Sequence, residues 1–196
     1  MLSPRRLRDV VTRLATIDHV KIIRVHTRVP IAAPRTVTPA LVRSLKAEGK
    51  ATYVVVHANH PRELSAEARA ACARLVDAGI PLLSQSVLLR GVNDDASTLS
   101  ALMRGLVECR IKPYYLHHPD LAPGTSHFRL TIAEGRSLMR QLRGRLSGVA
   151  LPNYVLDIPG GHAKVPLLSD DVEETASGRW RIRDHIGEWH YYEESV

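Results

Sequence analysis

Asp157 and Lys164 stand seven positions apart, with Ile158-Pro159-Gly160-Gly161-His162-Ala163 between them. Adjacent glycines remove side chains and admit positive φ, so backbone there can approach a ligand closely. A lysine just past such a turn reaches into the space that the turn creates. Desolvation lowers the pKa of a lysine and makes its amine a nucleophile able to form a Schiff base. A surface turn carrying a solvated lysine fits the same residues. A second carboxylate, Asp120, follows Tyr114-Tyr115-Leu116-His117-His118-Pro119. Each carboxylate taken singly also suits a turn. Together, beside a lysine, they describe a site for an amino compound that carries an extra positive charge.

The elements that would position these groups repeat. Strands are expected over Lys21–Val29, Thr52–Asn59, Pro81–Leu89 and Ile111–His117, and a short apolar strand over 154–158 leads into the glycine turn. Between them lie helical patterns. Ser3-Pro4 opens one with Leu7, Val10, Val11, Leu14 and Ile17 at helical spacing; Thr38-Pro39, Ser65 and Asp94 or Asp95 open the next three. A further helix runs from Thr131 to about Leu146 and stops at Gly148. Strand starts recur about every 30 residues, the signature of consecutive βα units around a parallel sheet. Polar residues fall late in all four strands: His26, Thr27 and Arg28; His57, Asn59 and His60; Gln85 and Ser86; Tyr114, Tyr115, His117 and His118. Parallel α/β folds build their sites at the carboxyl ends of strands, so a shared site explains this pattern. The end of the chain, Arg179 to Glu193, alternates around Ile186-Gly187 as a β-hairpin that covers an edge or makes a subunit contact.

Composition narrows the classes. The 196 residues are 44% hydrophobic, enough for one sizeable core, and the net charge is +7. That charge is dispersed arginine on helix faces with no aromatic-interleaved basic patch, which argues against a nucleic-acid partner. The two cysteines, Cys72 and Cys109, sit in helical patterns among apolar neighbours and read as buried thiols. They form no ligand set for an iron–sulfur cluster or structural zinc, and no residue is assigned as a metal ligand. No apolar run is long enough to span a membrane; a cytoplasmic location is expected.

The segments HTRVPIAAPRTVTPALV, VVVHANHPREL, PLLSQSVLLRGVNDD, IKPYYLHHPDLAPGTSHFR, LRGRLSG and DIPGGHAKVPL resemble, in order, the C-terminal half of the lysine 2,3-aminomutase family. Members are radical S-adenosylmethionine enzymes that also use pyridoxal phosphate. The resemblance implies part of a partial TIM-type barrel over residues 1–148, and over 149–196 the pyridoxal-lysine segment with a hairpin tail. It implies that Lys164 holds pyridoxal phosphate and that Asp120 and Asp157 hold the distal ammonium of substrate lysine. His57 and Gln85 match positions that contact S-adenosylmethionine, with Arg28, Asn59 and Asn93 as neighbours.

The sequence departs from the family in two ways. The three-cysteine motif for the 4Fe-4S cluster lies upstream of anything present here, so the chain alone is expected to bind no cluster and to be inactive. The expected protein partners are further copies of the chain, as a homo-oligomer, or a missing N-terminal half. The family's glycine run before the lysine is here Gly160-Gly161-His162-Ala163, which puts the geometry of the lysine loop in question. The expected reaction moves the amino group of L-lysine from C2 to C3. An aminomutase of the type serving β-lysylation of elongation factor P, or a non-catalytic remnant that binds a cofactor or partner chain, remains the alternative.

Overall fold

The computed structural model describes residues 3–184 and 186–194. Its elements in chain order are α1 (Pro4–Ala15), β1 (Ile22–Thr27), α2 (Val29–Ala32), α3 (Pro39–Ser44), β2 (Ala51–His57), α4 (Ala66–Asp77), β3 (Leu82–Val87), α5 (Ala96–Glu108), β4 (Ile111–His117), α6 (Ile132–Arg143), β5 (Asn153–Asp157), β6 (Lys164–Pro166), β7 (Val172–Ala176), β8 (Arg179–Arg183) and β9 (Trp189–Glu193). The fold is mixed α/β. Six strands make one sheet in the order β1-β2-β3-β4-β5-β6, and β7-β8-β9 make a separate antiparallel sheet. The chain resolves into two compact units, one of residues 3–58, 62–84 and 105–112, the other of 59–61, 85–104 and 113–194.

In the first unit, β1 and β2 pair in parallel, from Ile22 opposite Ala51 to Thr27 opposite Val56. Val54, Val55 and Val56 are consecutive and fully buried, which requires cover on both faces of the strand. Each such side chain contributes about 1.5–3 kcal/mol on burial. The first strand stops at Thr27, short of the expected Val29. Pro30 has no N–H for a ladder and suits the start of a helix instead, and Thr27 Oγ1 accepts the Val29 N–H at 3.0 Å as α2 begins. Ser3 caps α1, yet of its expected apolar face only Val11 is buried; Val10 and Ile17 are exposed. Ile17 lies beyond the helix end at Ala15.

In the second unit, β4 and β5 are parallel, and β6 folds back antiparallel on β5. The lysine segment therefore adds a strand to the main sheet, and the short apolar run before the glycines is itself a fifth strand. Of the two candidate aspartates, Asp95 caps α5, its Oδ1 accepting the Ser97 and Thr98 N–H groups at 2.9 and 2.8 Å. A capping box between Thr131 and Glu134 opens α6. That helix ends at Arg143 with Gly144 as its cap, and Gly148 begins a 3-10 turn rather than stopping the helix. On its inner face Gly135 meets Tyr154: a methyl group there would lie 2.0 Å from the phenol oxygen. The tail holds one strand more than the expected hairpin, β7, pairing along β8.

Candidate active site

The β5–β6 register sets Asp157 directly opposite Lys164, since each is the terminal residue of its strand at the turn. Two backbone bonds close the six-residue loop between them, Ile158 N–H to Ala163 O at 2.8 Å and Gly161 N–H to Ile158 O at 3.1 Å. Gly160 and Gly161 take φ of +91° and +78°, a region that L side chains avoid. His162 and Ala163 do not share it, so their Cβ atoms carry no backbone strain. The His162 ring lies against His190, ring centroids 4.1 Å apart, and covers Gly160, where a Cβ would meet its Nε2 at 2.9 Å.

Lys164 Nζ donates to both oxygens of Asp157 at 2.5 and 2.6 Å. His117, the last residue of β4, completes the cluster: its Nδ1 lies 3.4 Å from Lys164 Nζ and 3.3 Å from Asp157 Oδ2. The Tyr115 ring sits 5.2 Å from the ammonium, within cation–π range. Burial first, and the Lys164 charge second, push the His117 pKa down, against the pull of Asp157 and Asp120. His117 Nε2 is buried without a hydrogen-bond partner. A neutral imidazole and a carboxylate thus flank one amine, an arrangement able to accept its proton.

Asp120 and Asp157 line one cavity of about 340 Å³, together with Leu121, Ile158, Gly161 and Tyr192. The pairing of carboxylates expected from sequence is present in space. Tyr192 comes from β9, in the tail to which no part in the site was assigned. The residue types there announced a strand but not which face of it meets the cavity. Behind this wall, His118 Nδ1 and the Tyr154 hydroxyl are 2.7 Å apart. A larger cavity of about 420 Å³ lies in the first unit; its lining is mainly apolar, with Val25, Leu41, Val54 and Leu75, and includes His26 and Thr27 but, among the described residues, no carboxylate, lysine or arginine.

The other expected site residues fall as follows. His57 ends β2 in the first unit, its ring edge-on to His26 at 6.1 Å. Burial, then the charges of His26 and Arg28, lower its pKa, and its Nε2 is buried without a hydrogen-bond partner. Arg28 pairs with Glu63 at 2.5 Å. Gln85, in the second unit, is half-buried on β3. Asn93 is fully buried and spends its side chain on backbone: Nδ2 donates to Asn59 O and Val87 O, and Oδ1 accepts from Leu89 N–H. Asn59 Oδ1 accepts the Val87 N–H at 2.9 Å. These two asparagines pin the loops after β2 and β3.

No family model matches the chain. An L-lysine 2,3-aminomutase of Acetoanaerobium sticklandii is 39% identical over 194 residues, 99% of this chain and 47% of that protein. The chain belongs to the lysine 2,3-aminomutase family. It spans about half the length of the curated relatives it matches. A glutamate 2,3-aminomutase of Clostridioides difficile, 37% identical over 159 residues, is also similar, over 81% of this chain and 37% of its own. Among solved structures, a radical SAM methyltransferase from Sphaerobacter thermophilus is similar at a TM-score of 0.49 and 21% identity, over 69% of this chain and 40% of that one. That likeness is too weak to bear on mechanism.

Proposed function

We propose that this chain is the pyridoxal-phosphate- and amino-acid-binding part of a lysine 2,3-aminomutase, and that its main sheet is a portion of a radical SAM barrel. One observation carries the reading: an amine nucleophile, Lys164, is flanked by Asp157 and His117, and Asp157 shares a cavity with Asp120.

The residues suit pyridoxal phosphate. Lys164 is partly exposed, and the loop before it is open at Gly161, where a methyl group would meet nothing within 4 Å, and closed at Gly160 by the His162 ring. When bound, the cofactor supplies a carbonyl that captures amines and an electron sink for the migrating nitrogen. The chain's own part is protonic and electrostatic. His117 Nδ1, 3.4 Å from Lys164 Nζ, is placed to accept and hand on the one proton that the amine must lose before it acts as a nucleophile, which keeps Asp157 ionised. Lys164 then leaves Asp157 without its cation. Asp157 and Asp120 face the cavity as two carboxylates, suited to the distal ammonium of lysine. A glutamate side chain would bring a third negative charge against them, so lysine is the substrate this geometry favours.

S-adenosylmethionine suits His57, whose orphaned Nε2 offers a buried contact; for Gln85 the same role rests on the family resemblance alone. The 4Fe-4S cluster does not fit the residues present. Burial pushes the Cys72 thiol up to about 12 and raises Cys109 as well, so neither offers a thiolate. The 196-residue polypeptide by itself is expected to give no cluster EPR signal and no β-lysine.

The test is spectroscopic. Pyridoxal phosphate mixed with the protein is expected to give the absorbance band of a lysine-bound cofactor, and Lys164→Ala to abolish it. A band that survives the substitution overturns the assignment. Lysine is expected to bind the loaded protein more tightly than glutamate; the reverse order overturns the substrate reading.

A further inference from the structure

Away from the lysine cavity, three metal-ligating side chains converge at the turn between β8 and β9. One ligand atom from each of Asp184, Glu188 and His190 lies within 4.8 Å of the other two. Asp184 Oδ2 is 2.7 Å from His190 Nε2, and the Asp184 side chain is only 4% exposed. Its other oxygen, Oδ1, accepts the Ile186 and Glu188 N–H groups, each at 3.0 Å. The Asp184 N–H bonds Glu188 O at 2.9 Å and closes the turn. The turn thus holds the carboxylate through one oxygen and leaves the other aimed at the imidazole. Glu188 is exposed and opens the group to solvent.

We infer that Asp184, Glu188 and His190 form a binding site for a divalent cation of the zinc class. One imidazole and two carboxylates make a borderline-hard, three-ligand set that leaves a coordination position for water. Such an ion holds N and O ligands near 2 Å in a tetrahedral array, which spaces them roughly 3.3 Å apart. The Asp184–His190 pair opens only slightly from its 2.7 Å to accept it. Oδ1 keeps both turn bonds while Oδ2 binds the ion, so the hairpin need not unfold.

The site has a consequence for the lysine loop. The His190 ring lies against His162 at 4.1 Å between centroids and 33° between planes, and His162 is two residues before Lys164. An ion on Nε2 fixes the His190 ring, and with it the face on which His162 rests. Occupancy of the hairpin is thereby linked to the placement of the loop that carries the nucleophile.

The test uses the tag-free 196-residue chain titrated with Co²⁺, whose visible d–d bands report coordination. Saturable binding of one ion per chain is expected, with the bands lost on addition of Zn²⁺. His190→Gln and Asp184→Asn are each expected to weaken binding by more than about tenfold. Asp184→Asn retains Oδ1 as the acceptor for the turn, so it separates ligand loss from misfolding, which circular dichroism checks. His162→Ala is expected to leave affinity unchanged. Absence of saturable binding by the wild-type chain, or undiminished affinity in folded His190→Gln, overturns the site. A loss in His162→Ala equal to that in His190→Gln overturns the three-ligand assignment.

Discussion

Lys164 Nζ bridges both carboxylate oxygens of Asp157, at 2.5 and 2.6 Å, across the antiparallel pairing of β5 and β6. The two side chains are 31% and 46% exposed, so the pair contributes no more than about 1 kcal/mol to stability. On the function proposed above, its weight lies in ligand binding. Asp157→Asn is expected to move the unfolding free energy by less than about 1 kcal/mol while removing most lysine affinity in the cofactor-loaded protein. Urea unfolding and calorimetric lysine titration measure the two. A large stability loss with intact lysine binding would make the contact structural.

Tyr192 lines the cavity with Asp120 and Asp157 and is only 4% exposed. Burial first, then the neighbouring Glu194 charge, pushes its hydroxyl up to about 12, so it remains a hydrogen-bond donor at neutral pH. Tyr192→Phe is expected to weaken lysine binding by about 0.5–1.5 kcal/mol, the usual value of one hydrogen bond, without changing the fold. Equal affinity in the variant would assign the residue to packing alone.

His118 is buried, bonded to the Tyr154 hydroxyl, and held down to about 4 by burial and by the Arg129 charge. A histidine whose folded pKa lies below its unfolded 6.5 stabilises the fold fully above that value. The contribution is lost as pH falls toward the folded pKa. The window is therefore pH 6.5 to 4, and the loss is on the order of 3 kcal/mol. His57 and His117 are also lowered, chiefly by burial, and add to the same acid limb. Urea unfolding at pH 7 and pH 4.5 should show the drop. His118→Gln should flatten part of it; an unchanged slope would exclude His118 as its source.

Gly135 and Tyr154 approach more closely than any side chain on α6 would allow. Gly135→Ala gains helix propensity but overpacks, and a net loss of about 1–3 kcal/mol is expected by thermal or urea unfolding. Adding Tyr154→Phe is expected to recover only part of this, because a methyl group would also lie 2.4 and 2.8 Å from ring carbons. Full recovery would place the clash on the hydroxyl alone.

Hydrophobic periodicity was enough to find β1 to β4 with their intervening helices, since strand and helix periods are local properties of the chain. The late polar residues of those strands and the pair Asp120 and Asp157 were likewise legible, because strand ends and glycine turns confine where such groups can sit. Boundaries slipped where one local contact outbid the pattern, as at Pro30 after β1 and Gly144 after α6.

Pairing partners far apart in sequence belong to the tertiary structure. Only the register of β6 on β5 places Asp157 on Lys164, and only the packing of β9 brings Tyr192 to the same cavity. The meeting of His162 with His190, and of His190 with Asp184, is of the same kind. The residue types that can hold a lysine's charge are written along the chain. Which groups share one cavity depends on strand register and long-range packing, and neither leaves a periodic trace in a single sequence.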